Sequence, residues 1–474
     1  MSKYKPTIGL EIHAELKTQT KMFCSCLNDP HDAEPNTNVC PVCLAHPGSL
    51  PVINKKAVES IVKVGLAVGG EVLEHSKFDR KSYFYPDLPK GYQISQYDLP
   101  LIKGGKLADV ELERIHLEED TGRLAHAEDG SLVDFNRAGV PLMELVTKPV
   151  IKSADEALLF ARELQLLLRY LQISDADMDK GQMRVEANIS ISSGKKLGTK
   201  VELKNINSFK AVGDAIASEI ERQTEILEKG EKVVQATRGW NENKKESFPQ
   251  RIKEEANDYR YIPEPDLPPM DFTSGDGIDI KELEKELPEL PWQKKKRFKK
   301  EYGFKDGDIL ERLIRDRGEA EFFEEAMSEI GKKDKALTTL VANYLDSDLI
   351  GLMKEGKTDW EGLKITPENF AELILLIDKG EATSKIVKTV LKEMFETGAD
   401  PSQIIESGNL SKSGEDEVER AVDLVLSENK KAIDDFKKGK ENALKFLLGQ
   451  TMANLRGRGN PELVKKLLLE RLSK

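Results

Sequence analysis

Residues 7–16 read TIGLEIHAEL, and their alternation decides the fold of the first half of the chain. Leu10, Ile12, Ala14 and Leu16 fall on one face of an extended segment, and Glu11, His13 and Glu15 on the other. Strict alternation marks a half-buried strand, because successive side chains point to opposite faces. The period recurs further along. Arg114, His116 and Glu118 share a face. Residues 183–191 set Val185, Ala187, Ile189 and Ile191 against Arg184, Glu186, Asn188 and Ser190. Residues 200–204 set Val201 and Leu203 against Lys200, Glu202 and Lys204. A helix is predicted from Ser153, where Ser153 and Glu156 form a capping box and Leu164, Leu167, Leu168 and Leu171 follow at helical spacing. The fold class expected is α+β, with an antiparallel-sheet cradle over residues 1–291.

The character of the chain changes near residue 291. The joint is marked by PDLPP at 265–269, a Gly-Asp turn at 275–277, Pro288 and Pro291. Beyond it, Thr366-Pro367 and Asn460-Pro461 read as N-caps with proline in the first helical position. Each is followed by an apolar stripe: Phe370, Leu373, Ile374 and Ile377 after the first, Leu463, Val464, Leu467, Leu468 and Leu472 after the second. All-helical modules are therefore expected, one over 292–405 and a tail over 406–474, with a flexible stretch at 407–414.

The 474 residues carry 72 Lys+Arg and 84 Asp+Glu, a net charge of −12, which argues against a protein that coats nucleic acid electrostatically. Recurrent apolar periods exclude disorder as the dominant state. No apolar run reaches the roughly 18 residues of a spanning helix, and no secretory signal is expected at the start. The natural compartment expected is the reducing cytoplasm.

All four cysteines lie in one loop, as Cys24-x-Cys26 and Cys40-x2-Cys43. Two close pairs of thiolates suit a closed tetrahedral zinc site that is structural and leaves no cysteine as a nucleophile. The alternative is four buried free thiols. The polar strand faces form the second constellation: Glu11, His13, Glu118, Glu119, Arg184, Glu186, Asn188, Glu202 and Lys204. A solvated sheet face favours Lys, Thr and Ser, whereas this set is rich in carboxylates. If the strands are neighbours, such charges repel unless cations hold them, and Mg²⁺ with phosphates fits that donor set. No GxxxxGK[ST] or GxGxxG loop is present to hold a nucleotide on glycines. Gly104-Gly105-Lys106 and Gly194-Lys195-Lys196 read as hairpin tips.

Residues 82–96, SYFYPDLPKGYQISQ, place tyrosines beside Arg80, Lys81 and Lys90. They would either stack bases or pack on the sheet. Tyr83 to Pro89 is echoed by Tyr259-Arg260-Tyr261 with PDLP at 265–268, through two related loops or by chance. Basic runs at 294–300, 437–440 and 456–458 are either solvated faces or RNA contacts.

Taken in order, GLEIHAELKTQTKMFC (9–24), YFYPDLPKGYQISQ (83–96), RIHLEEDTGR (114–123), DFNRAGVPLMELVTKP (134–149), MRVEANIS (183–190), GTKVELKNINSF (198–209), DYRYIPEPDLP (258–268) and GQTMANLRGRGNPELV (449–464) resemble the B subunit of the tRNA-dependent aspartyl/glutamyl amidotransferases. The resemblance implies a ligase of protein biosynthesis. It implies that the side-chain carboxylate of Glu on tRNA(Gln), or of Asp on tRNA(Asn), is phosphorylated by ATP and that ammonia then displaces the phosphate. It implies a separate amidase-like protein as ammonia source, a small third subunit, and a heterotrimer acting on misacylated tRNA away from membranes. Carried over residue by residue, Glu11, His13, Glu118, Glu119, Glu186 and Glu202 would bind Mg²⁺ and ATP, and Cys24, Cys26, Cys40 and Cys43 would bind zinc. Arg184, Asn188 and Lys204 take neighbouring catalytic positions, and Tyr83, Tyr85, Lys90, Arg456 and Arg458 would meet tRNA. Where many relatives read MRCDAN, this chain has Glu186 at the aspartate position. A zinc-containing RNA-binding factor without catalysis is the rival, and it would not require a carboxylate face.

Overall fold

The computed structural model describes residues 3–473 apart from 128–129, 195, 253–258, 274–276, 306, 333, 409–413, 439 and 456–457. The Gly275-Asp276 turn, the centre of the 407–414 stretch, Lys195 of the second glycine tip and Gly439 of the second basic run therefore lie outside the described residues. The chain divides into two compact units, Met1–Pro291 and Trp292–Lys474.

The first unit runs β1 (Lys5–Glu15), α1 (Lys55–Ala67), β2 (Asp79–Ser82), β3 (Tyr92–Ser95), β4 (Val110–Glu119), β5 (Pro141–Thr147), α2 (Ala154–Tyr170), β6 (Met183–Ser192), β7 (Val201–Ile206), α3 (Phe209–Glu228), β8 (Ala236–Asn241), β9 (Glu246–Ile252) and β10 (Ile262–Pro263), besides shorter pieces. The main sheet has the order β9-β8-β7-β6-β1-β5-β4, continued by Ile102–Lys103 and Glu71–Val72. Its pairs are antiparallel with one correction to the expectation: β7 and β8 run parallel. Helix α3 links them as a crossover, and a crossover returns the chain in the same direction.

The alternation in 7–16 is realised in β1, where Ile8, Leu10, Ile12 and Ala14 are at most 1% exposed. Val185, Ala187 and Ile189 of β6 and Val201 and Leu203 of β7 are buried likewise. Helices α1 and α3 pack against this sheet, and α2 against α3. Helix α2 starts where its cap predicts, with Glu156 N–H donating to Ser153 Oγ at 3.1 Å. The Glu156 carboxylate accepts from Lys152 N–H at 2.8 Å rather than from the cap's own N–H. Beside the main sheet, β10-β2-β3 form a three-stranded sheet. There the two echoing tyrosine loops lie together: Ser82 N–H donates to Tyr259 O at 2.8 Å, and the Tyr83 and Tyr259 rings are 6.1 Å apart.

The second unit is helical throughout its regular structure, including α4 (Arg317–Ile330), α5 (Pro367–Asp378), α6 (Ser384–Thr397), α7 (Glu415–Glu428), α8 (Glu441–Asn454) and α9 (Pro461–Leu472). Thr366 and Asn460 cap α5 and α9, each followed by its proline. Val418, Val422, Leu447, Val464 and Leu468 centre a separate apolar cluster near the chain's end. Among the described residues no helix is long and apolar enough to cross a membrane.

Candidate active site

Register aligns the polar faces. His13 of β1 stands opposite Arg184 of β6 on one side and Glu144 of β5 on the other. Glu144 in turn stands opposite His116 of β4. One residue pair along, Glu11 faces Glu186. Laterally paired side chains lie roughly 5 Å apart, so four strands deliver one contiguous polar row. His13 Nε2 lies 3.5 Å from both Glu118 Oε1 and Glu144 Oε2. His116 Nε2 approaches the same Glu144 oxygen at 3.3 Å. Lys204 of β7 continues the row, with Nζ 2.9 Å from Glu186 and 3.4 Å from Glu202. Asn188 faces Glu202 across the β6–β7 pair.

The electrostatics are those of crowded acids. Burial, then the charge of Glu144 and that of Glu186, raise the Glu11 pKa above its ordinary range. Among the described residues no cation stands within ion-pair distance of Glu11. Burial opposes charging His13, but the hydrogen bond and charge of Glu144, then Glu118, outweigh it and lift its pKa to about 9. Glu144 is held well below the usual carboxylate range, because His116 and His13 outweigh its burial. Lys81, at the end of β2, stays charged against burial through Glu118 and Glu144. Ligand atoms of Glu11, His13 and Glu144 lie within 4.8 Å of one another, as do those of His116, Glu118 and Glu144. Each set is two carboxylates and one imidazole, and mostly oxygen donors fit a hard divalent cation.

The loop before α1 holds the four cysteines. Their Sγ atoms also lie within 4.8 Å of one another, and Cys40 and Cys43 are 3.9 Å apart. Tetrahedral zinc with Zn–S bonds near 2.3 Å separates its sulfurs by about 3.8 Å, so the donor set fits. Hydrogen bonding from the Cys24 thiol, backbone N–H at Cys40 and the nearby Lys21 ammonium lower Cys43 to about 4, against its burial. Burial and the Cys40 thiol raise Cys26 to about 11. Fully buried Lys21 places Nζ 3.8 Å from Cys43 Sγ.

Several expected residues stand elsewhere. Glu119 is not in the row. Alternation turns it to the opposite face of β4, where its carboxylate accepts from Lys90 Nζ at 2.6 Å and Ile94 N–H at 2.9 Å. Lys90, expected to meet RNA, is thereby turned inward. Arg184 leans to Asp120 at 2.8 Å, beyond the row's end. Tyr85 is exposed, and Tyr83 packs near Tyr259. Arg458 pairs with Glu417 at 2.7 Å, while Arg456 lies outside the described residues. The first basic run is partly structural, since Lys294 and Arg297 both bind Glu324. Three residues were missing from the expected site. Glu144 lies between apolar neighbours, and its signal is the single acid in VPLMELV. His116 shares the face of Glu118, and Asp120 follows it in the same motif.

A family model described as "GatB/GatE catalytic domain" matches residues 6–276, and one described as "GatB domain" matches 321–472. Three curated relatives are each named as the B subunit of an aspartyl/glutamyl-tRNA(Asn/Gln) amidotransferase. The chain is 46% identical to that of Thermoanaerobacter pseudethanolicus over the whole of both chains. It is 47% identical to that of Persephonella marina over 99% of this chain and all of the relative. It is 46% identical to that of Thermus thermophilus over 99% of each.

Proposed function

The chain belongs to the family of aspartyl/glutamyl-tRNA amidotransferase B subunits, which are ligase-type amidotransferases, and from that premise we propose that it converts Glu-tRNA(Gln), Asp-tRNA(Asn) or both to the amidated forms. The observation that carries the proposal is the row of Glu11, His13, Glu118 and Glu144 delivered by three adjacent strands. A carboxylate is a poor electrophile, so the side-chain carboxylate of the esterified amino acid first attacks the γ-phosphorus of ATP, and ADP leaves. Ammonia then adds to the carbonyl carbon of the acyl phosphate, inorganic phosphate departs, and the nitrogen gives up a proton. Glu11, Glu118 and Glu144, with His13 once it gives up its proton, would hold Mg²⁺, which when bound would neutralise phosphate charge in such transfers.

The chain's own groups do the rest. Lys81 and Lys204 border the row as fixed cations positioned to offset developing negative charge. Glu186 and Glu202 hold Lys204 in place and extend the polar row. Arg184, anchored by Asp120, presents positive charge next to His13. Cys24, Cys26, Cys40 and Cys43 hold a structural zinc that fixes the loop between β1 and α1. Residues 1–291 serve as the catalytic cradle, 292–405 as a helical domain and 406–474 as the tail that meets tRNA through Arg456 and Arg458, with Tyr83 and Tyr85 as further contacts. In the cytoplasm its partners are misacylated tRNA, an amidase-like protein supplying ammonia and a small third subunit.

The test is amide formation on both mischarged tRNAs with ATP, Mg²⁺ and ammonia as the nitrogen donor, with no partner protein present. Product that requires ATP supports the reading and identifies the substrates. A chain that binds charged tRNA yet never consumes ATP with it would support the non-catalytic RNA-binding factor instead.

A further inference from the structure

Lys21 lies between β1 and the first cysteine pair and is 0% exposed. Its ammonium donates to Phe135 O at 3.2 Å and to Cys43 Sγ at 3.8 Å. Among the described residues no carboxylate stands within ion-pair distance of it. An ammonium buried in this way is costly unless negative charge answers it. Four thiolates around Zn²⁺ supply that charge, because they carry two more negative charges than the cation cancels. The backbone at Lys21 is tied to the same loop. Its N–H donates to Cys26 O at 3.0 Å, and its carbonyl accepts from Asn54 Nδ2 at 3.2 Å. The side chain thus reaches from the cysteine loop to the segment between β4 and β5.

That segment meets the loop at further points. Met22 N–H donates to Gly139 O at 2.7 Å. Asn36, between the two cysteine pairs, donates from Nδ2 to Val133 O at 3.0 Å and accepts from Phe135 N–H at 2.8 Å. Asn136 Nδ2 donates back to Glu34 O at 2.8 Å. On its far side, Gly139 N–H donates to Asp120 O at 2.9 Å, and Asp120 anchors Arg184 at the end of the carboxylate row. Hydrogen bonds and the backbone of 135–139 therefore connect Cys43 to Arg184. We propose that Lys21 is a positioning residue, which balances the excess charge of zinc-bound thiolates and ties the cluster to this segment, so that zinc occupancy holds the Asp120–Arg184 end of the row in place. The inference rests on the zinc reading above and extends it from a local staple to the site.

The experiment uses the full chain loaded with Zn²⁺ or, for spectroscopy, with Co²⁺. Lys21→Met keeps the aliphatic stem and removes the charge. It is expected to release zinc to a chromogenic chelator about tenfold faster than wild type, as loss of a group that supports a metal ligand does. A positive charge beside a thiolate also lowers the energy of the sulfur lone pairs. The sulfur-to-cobalt charge-transfer band is therefore expected at longer wavelength in Lys21→Met. A stem that merely fills space is retained in this variant, so an unmoved band or unchanged zinc release in folded Lys21→Met overturns the proposal. If Lys21→Met does not fold, Lys21→Gln is put through the same comparison. Wild type gives an independent reading. Removal of zinc is expected to speed amide hydrogen exchange over 133–140 and to leave α2 unchanged. Exchange over 133–140 that is indifferent to zinc overturns the link to Asp120. Wild type that holds neither zinc nor cobalt overturns the zinc reading itself, a failure visible before any variant is made.

Discussion

Glu144 lies between Met143 and Leu145 and is 4% exposed, yet two imidazoles converge on it. Sequence alone makes it one polar residue in an apolar strand. Its importance comes from register, which local alternation does not specify: β5 must be inserted between β1 and β4 for Glu144 to meet His13. Glu11, His13 and Glu118 were legible because each lies on a polar face of alternating residues. Glu119 faces away from the row because adjacency in sequence is opposition in a strand. At this scale the account predicts that Glu11→Gln or Glu118→Gln lowers ATP-dependent amide formation by at least about 100-fold, as losing a positioned charge at the reacting centre does. Affinity for tRNA is expected to stay within about twofold, measured by filter binding. A collapse of the melting temperature in these variants would instead make the residues structural.

Two elements carry predictions of their own. The cysteine loop was readable from spacing, because two pairs of thiols need little more than a turn to converge. Elemental analysis is expected to find one zinc per chain, and Cys43→Ser is expected to lose it and melt at lower temperature. Zinc-free wild type of full stability would overturn this. Helix α4 could not be read so far. Glu319 in its first turn is 5% exposed with Oε1 unpartnered among the described residues. Burial, then the charges of Asp346 and Asp316, raise its pKa from 4.5 to about 7, against the opposing Arg315 and Lys354. The folded chain thus keeps a proton that the unfolded chain has released between those pH values. Stability contributed by this group is present below pH 4.5, falls as pH rises, and is gone above pH 7. Glu319→Gln should therefore gain on wild type with rising pH, by on the order of 1–3 kcal/mol at pH 8. Parallel melting curves from pH 5 to 8 would contradict it. Strand alternation and helix caps show in sequence because they depend on near neighbours, whereas this buried acid depends on Asp346, which stands in a different helical segment.

At the scale of the molecule, the change from alternating to helical periods near residue 291 was legible, because period reports the type of element directly. The parallel β7–β8 pair was not, since a strand's direction depends on the crossover that precedes it. The proposed function assigns the ammonia supply to a partner protein, and the account accordingly predicts a division of labour: alone, the chain hydrolyses glutamine at a rate far below that of the reconstituted assembly. Comparable rates from the single chain would contradict that. The central claim is that carboxylates from adjacent strands form one phosphoryl-transfer site. It is tested most directly by measuring ADP released with mischarged tRNA, for wild type and Glu144→Gln, with and without Mg²⁺. The account predicts release that needs both Mg²⁺ and charged tRNA and nearly vanishes in the folded variant. Equal ADP release from Glu144→Gln would contradict it.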